Sequence, residues 1–148
     1  MRLELWIKGQ EASLEEILDG RERRGEIQRE LLTRKGASLV SFTLNIPGPV
    51  KVFPFAIWLF ETGDRLIRQM VKEEQGEILQ SREKRENMGL EGFYLLDLAP
   101  EKVKRNLSIA EENHPLGRLF DFDVLDRWGR KVSRQELGFP ERKCLICG

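Results

Sequence analysis

Asp121 and Asp123 stand two residues apart within Leu119 to Leu125, where apolar and acidic side chains alternate. In an extended strand these two point to one face, while Phe120, Phe122 and Val124 point to the other. Carboxylates held side by side repel, and an apolar neighbourhood strips the hydration that would tolerate them. A divalent metal between them resolves that conflict. Gly117 and Arg118 just upstream add a tight approach and a cation for an anionic substrate. The same letters also fit a half-exposed edge strand with two solvated aspartates.

The elements that must position this pair are read from patterning. Leu3, Leu5 and Ile7 stand at alternate positions, as a short strand would place them. Ser13 and Glu16 have capping-box spacing, which predicts a helix running to about Arg34 and closed by Gly36. Leu14, Ile17, Leu18, Ile27, Leu31 and Leu32 gather on one broad side of it, together with Arg21, Arg24 and Gln28. Arginines there either lay their stems over apolar surface or border a cleft, where guanidinium groups can grip phosphate oxygens. Ser38 to Ile46 reads as a buried strand ending at Asn45 and the stiff Pro47-Gly48-Pro49 turn. That arrangement either holds the Asn45 amide and the Lys51 ammonium in place or is a plain turn with a capping Asn.

Phe53 to about Leu79 has a wide helical apolar face, and Thr62-Gly63-Asp64 is expected to divide it, with Thr62 or Asp64 capping a second helix. Gln75 to Gly89 is charge-dense and is expected to be the helix end and a mobile loop. Gly92 to Leu98 is a strand, and Pro100 opens a helix with Val103 and Leu107 inward. Pro115 stops that helix before the acidic strand begins. Asp126 to Gly129 is a turn signal, with Arg130 to Ser133 returning as a second hairpin arm. The expected architecture is a single domain over residues 1–148, a small α/β or α+β fold with a mixed sheet flanked by helices.

Charge narrows the function. The chain carries 25 basic and 25 acidic residues, so its formal net charge is zero. That argues against coating nucleic acid or an anionic membrane. Arg127 to Lys143 is locally basic, with six Arg or Lys against Glu136 and Glu141, and would suit the rim of a phosphate-rich site. The opening residues lack a secretory signal pattern and the most apolar window, Val52 to Phe60, is too short to span a bilayer, so a cytoplasmic protein is expected. Cys144 and Cys147 form one CxxC, which cannot complete a tetrahedral zinc site alone.

Three blocks carry a family resemblance: RERRGEIQRELL (Arg21 to Leu32), SFTLNIPGPVK (Ser41 to Lys51), and EENHPLGRLFDFDVLD (Glu111 to Asp126), followed by SRQELG and RKCLIC. The chain resembles the holo-citrate-lyase acyl-carrier synthases, the apo-citrate lyase phosphoribosyl-dephospho-CoA transferases. The resemblance implies a nucleotidyltransferase-like fold. It also implies transfer of 2'-(5''-phosphoribosyl)-3'-dephospho-CoA from its 5''-triphosphate, triphosphoribosyl-dephospho-CoA, to a serine of the citrate lyase acyl-carrier subunit.

For that chemistry Asp121 and Asp123 would hold Mg²⁺, and Lys51, Arg118 and Arg24, with Arg21 beside them, would hold the triphosphate. Asn45 or Gln28 would orient phosphate or ribose. The base for the serine is one of the Asp pair or, by its chemistry, His114, while Asp126 is a third carboxylate out of parity with the pair. The family pattern continues past the CxxC with further Cys and His residues, so a product shortened at its C-terminus is also expected. A related nucleotidyltransferase with another donor, or a non-catalytic carrier-binding module, are the alternatives.

Overall fold

Ser13 and Glu16 cap reciprocally: the Glu16 backbone N–H donates to Ser13 Oγ, and the Ser13 N–H donates to Glu16 Oε1, each at 3.1 Å. They open helix α1 (Leu14–Leu32). The structure, a computed structural model, describes residues 10–142. After α1 come β1 (Ser38–Leu44), α2 (Pro54–Glu73), β2 (Ile78–Glu86), β3 (Gly89–Leu96), α3 (Pro100–Asn113) and β4 (Phe120–Asp126). Short 3-10 turns lie at Gly117–Leu119 and Gln135–Leu137. The strand reading at Leu3 to Ile7 and the Cys144 to Cys147 pair fall outside the described residues. Among the described residues no helix is long and apolar enough to cross a membrane.

The strands make one sheet in the order β2-β3-β1-β4, and every neighbouring pair is antiparallel. Period-two alternation gives each strand two different faces. Val40, Phe42, Tyr94, Leu96, Phe120, Phe122 and Val124 meet α2 and α3 through Ala56, Leu59, Phe60, Ile67, Val103 and Leu107. Phe42 lies at the centre, stacked on Phe60 at 5.0 Å and 4.8 Å from Phe122. Burying each such ring contributes roughly 1.5–3 kcal/mol. The opposite face carries Leu39, Phe93, Leu95 and Leu125 beneath Ile27, Leu31 and Leu32 of α1. The expected small sheet flanked by helices is therefore present, but it is wholly antiparallel and not mixed, with β4 at an edge and its acidic face on the α1 side.

Three further expectations are corrected. α2 runs unbroken through Thr62-Gly63-Asp64. Thr62 Oγ1 donates to the Trp58 carbonyl at 2.9 Å instead of capping a new helix. Gly63 is there for close approach: a Cβ would sit 2.1 Å from Phe42 Cζ. Gln75 to Gly89 is no loop, since β2 occupies most of it and pairs with β3 from Ile78 to Glu86. Its α1-facing side chains are charged, and Arg82 reaches Glu30 at 3.1 Å while Arg23 of α1 reaches Glu86 at 2.8 Å. Ion pairs take the place of the apolar alternation that would have marked the strand. Finally, Leu14 and Leu18 are 72% and 53% exposed, because the first turns of α1 overhang the sheet and only its later turns rest on it.

Candidate active site

β1 and β4 pair so that Thr43 is opposite Asp121 and Ser41 opposite Asp123. All four side chains share the face turned towards α1. Gln28 of α1 donates from Nε2 to Ser41 Oγ at 3.0 Å, and Thr43 Oγ1 donates to Asp121 Oδ2 at a long 3.5 Å. Asp123 Oδ1 lies 3.3 Å from Lys131 Nζ. The Asp121 carboxyl is pushed above its ordinary range, first by burial and then by the charge of Asp123. Arg142, Lys104 and Lys131 pull it back only partly. The two carboxylates thus stand on one face, with Asp121 in the drier position and Asp123 paired with Lys131.

The outer edge of β4 is closed by partners from other elements. The carbonyl of Phe120 accepts from Arg142 Nη1 at 2.7 Å, that of Phe122 from Lys104 Nζ at 2.7 Å, and that of Val124 from the Val132 N–H at 2.9 Å. Such an edge cannot recruit another strand. Arg142 also holds the Gly117 carbonyl and Glu111 Oε2, each at 3.2 Å, and Arg134 joins Glu111 at 3.1 Å. Burial raises the Glu111 carboxyl and lowers the Lys104 ammonium from their ordinary values, although each lies near charges of the opposite sign.

Lys104, Glu111 and Arg142 are the residues that sequence reasoning did not bring to the site. Lys104, Ser108 and Glu111 follow helical spacing on the buried side of α3, and that polar stripe is the one available signal. The basic stretch after β4 is largely neutralised from within. Arg130 pairs with Glu136 and Asp126, Lys131 with Asp123, and Arg134 with Glu111 and Glu112.

Two clefts lie near β4, neither of them lined by Asp121 or Asp123. One, of about 260 Å³ between α1 and the ends of β1 and β3, is lined by Arg21, Arg24, Thr43, Lys51, Gly89 and Glu91 among others. In it Arg24 is committed to Glu91 at 2.9 Å, and Lys51 Nζ donates to the Ile46 carbonyl at 2.6 Å. Arg21 is exposed and has no hydrogen bond or ion pair among the described residues. Asn45 is exposed just past β1; its N–H donates to the Leu119 carbonyl at 2.8 Å, and it does not line this cleft. Gln28 is likewise committed to Ser41 and outside the lining.

The second cleft, about 350 Å³, lies on the outer side of β4 and includes His114, Gly117, Arg118, Arg134 and Arg142. Lys51 and Arg118 therefore open onto separate clefts. His114 Nδ1 accepts from the Leu116 N–H at 3.0 Å, which leaves the ring proton of the neutral imidazole on Nε2. In that form His114 presents a donor and has no free basic nitrogen. Gly117 is obligatory, because a Cβ would fall 1.7 Å from the Glu111 carbonyl oxygen. Asp126 is occupied in its turn, where Oδ1 accepts from the N–H groups of Trp128 and Arg130 at 3.0 and 2.9 Å.

The donor set suits Mg²⁺. Two hard carboxylate oxygen groups lie on one strand face, the donor type this ion takes. Among the described residues no third His, Cys, Asp or Glu completes a ligand cluster, so water and phosphate oxygens would fill the other positions, as this ion prefers.

The sequence profile described as apo-citrate lyase phosphoribosyl-dephospho-CoA transferase matches residues 12–148. A probable apo-citrate lyase phosphoribosyl-dephospho-CoA transferase of Vibrio cholerae serotype O1 is 35% identical over 136 residues, covering 91% of this chain and 76% of the relative. The enzymes of that name from Citrobacter koseri and Escherichia coli O7:K1 are each 33% identical over 135 residues, covering 91% of this chain and 74% of theirs. With the match running through α1, the sheet and both clefts, this chain belongs to the apo-citrate lyase phosphoribosyl-dephospho-CoA transferase family.

Proposed function

We propose that the protein transfers 2'-(5''-phosphoribosyl)-3'-dephospho-CoA from its 5''-triphosphate precursor to a serine of the citrate lyase acyl-carrier subunit, using Mg²⁺ at Asp121 and Asp123. The observation that carries this reading is that Asp121 stands opposite Thr43, which lines a cleft shared with Arg21 and Lys51. Family membership supports this choice of donor and acceptor.

In the reaction the serine Oγ forms a bond to the α-phosphorus, and the bond from that phosphorus to the diphosphate oxygen breaks, diphosphate leaving with the electron pair. The hydroxyl proton passes to the carboxylate pair and on to solvent. Asp121, whose carboxyl burial pushes above its ordinary range, is the acceptor. Lys51 and Arg21 hold the triphosphate by charge, and the Lys51 bond to the Ile46 carbonyl fixes where its ammonium stands. Bound Mg²⁺ would neutralise the charge that builds on the phosphoryl and diphosphate oxygens.

The test is the intact mass of the apo carrier after incubation with protein, triphosphate donor and Mg²⁺. The expected result is one added prosthetic group on one serine. An unchanged carrier mass, with donor and carrier verified intact, rejects the reading.

A further inference from the structure

Two clefts approach strand β4, one from the α1 side by way of Thr43, opposite Asp121, and one at its outer edge by way of Arg142, and the two differ in charge. The α1 cleft carries Arg21, Arg24 and Lys51 against Glu91, an excess of cations suited to a polyanion. Among the described residues the outer cleft carries Arg118, Arg134 and Arg142 against Glu111, Glu112 and Glu141, which balance. A triphosphate gains little from a balanced wall. A polypeptide segment, which brings amide donors and carbonyl acceptors in equal number, fits one well.

The outer cleft also has a fixed shape and free donors. Arg142 ties its floor to the carbonyls of Gly117 and Phe120, and Pro115 and Pro140 stiffen its walls. The His114 ring is locked by the Leu116 N–H and packs edge-on against Phe120 at 5.3 Å, leaving its Nε2–H unpartnered among the described residues. Arg118 is exposed, with no hydrogen bond or ion pair among the described residues. Geometry of the reaction supplies the rest. Phosphoryl transfer places attacking and leaving oxygens roughly in line, on opposite sides of the phosphorus. Asp121 has Thr43 on its inner side, at the α1 cleft, and the guanidinium of Arg142 towards the outer edge.

We propose that the outer cleft receives the serine-bearing segment of the acceptor polypeptide, so that donor and acceptor reach the Asp pair from opposite sides of β4. This rests on the transferase reading above. Arg118 and the His114 Nε2–H hold the segment's carbonyl or carboxylate oxygens, while the triphosphate stays in the α1 cleft.

Steady-state kinetics with each substrate varied in turn test the assignment. Arg118→Glu should raise the KM for the carrier about tenfold and leave the KM for the donor unchanged. Arg21→Met should do the reverse. Titration calorimetry of apo carrier into protein without donor should show the same loss for Arg118→Glu. Because Arg118 makes no internal bond, its variant should fold normally, checked by circular dichroism. A raised donor KM in Arg118→Glu would place that residue in the donor site and overturn the proposal, as would unchanged kinetics for both substrates. Absence of transfer by the unmodified protein would instead reject the transferase reading itself.

Discussion

Arg24 places both Nε and Nη2 on a single oxygen of Glu91, at 3.2 and 2.9 Å. The Glu91 side chain is 4% exposed, so its charge depends on that guanidinium. Arg24 consequently serves the docking of α1 on β3 more than it serves a phosphate. Arg24→Met should lower stability by about 2–3 kcal/mol, the range for leaving a buried charge without its partner. Lys51→Met and Arg21→Met should instead weaken donor binding by about tenfold or more, with thermal midpoints little changed. Thermal melts and donor titrations on the three variants separate the roles. A fully stable Arg24→Met with collapsed donor affinity would show that Arg24 is a phosphate ligand after all.

The Asp pair should set activity against stability. Asp121 is disfavoured as an anion in the folded chain, so at neutral pH its ionised form destabilises the metal-free protein. Asp121→Asn keeps the shape and the acceptor for Thr43 while removing the charge. It should raise the thermal midpoint of metal-free protein near neutral pH, and the gain should vanish once acid protonates Asp121 itself. Carrier modification should be abolished. Substantial retained transfer by Asp121→Asn or Asp123→Asn would exclude the paired role.

How far this site could be read from the sequence depended on whether the relevant signal was local. Ser13 with Glu16, and the alternation from Phe120 to Val124, act within a few residues, and both appear as expected. β2 was missed because its α1 face is charged, its partners Glu30 and Arg23 lying on a distant helix. Thr62-Gly63-Asp64 looked like a break, and only the Phe42 ring reveals why a glycine sits inside α2. Lys104 and Glu111 come from α3 and Arg142 from the segment after β4, and their meeting along the β4 edge follows from tertiary packing. Arg118 was grouped with Lys51 on chemistry alone, and the width of β4 separates their clefts.

Acid should loosen the α1 layer through Glu30. Its carboxyl is held below the ordinary range, chiefly by the hydrogen bonds from Arg82. A lowered folded-state value means that the contribution is complete above the unfolded value, near 4.5, and is lost as pH falls through the folded one. Glu30→Gln should therefore melt below the unmodified protein near neutral pH, with the two curves converging as acid protonates Glu30 in the folded chain. A gap that stays constant over that range would assign the effect to packing and not to the ion pair.

Gly117 offers the sharpest steric prediction. The Gly117→Ala methyl would lie 1.7 Å from the Glu111 carbonyl oxygen, a contact that flexing of a side chain cannot relieve because the obstacle is backbone. The turn before β4 must move, and with it the Gly117 carbonyl that Arg142 holds and the strand that aims Asp121. Stability should fall by about 3 kcal/mol, at the upper end of overpacking costs. Turnover should fall by about a hundredfold, since displacement of catalytic groups by the order of 1 Å carries that penalty. Gly25→Ala is the contrast: within α1 its methyl meets only the flexible Arg29 guanidinium at 3.2 Å, and better helix propensity should add about 0.5–1 kcal/mol. Denaturant melts and carrier-mass rates on both variants check this. If Gly117→Ala matched Gly25→Ala in stability and rate, the turn would be far more yielding than its contact with α3 implies.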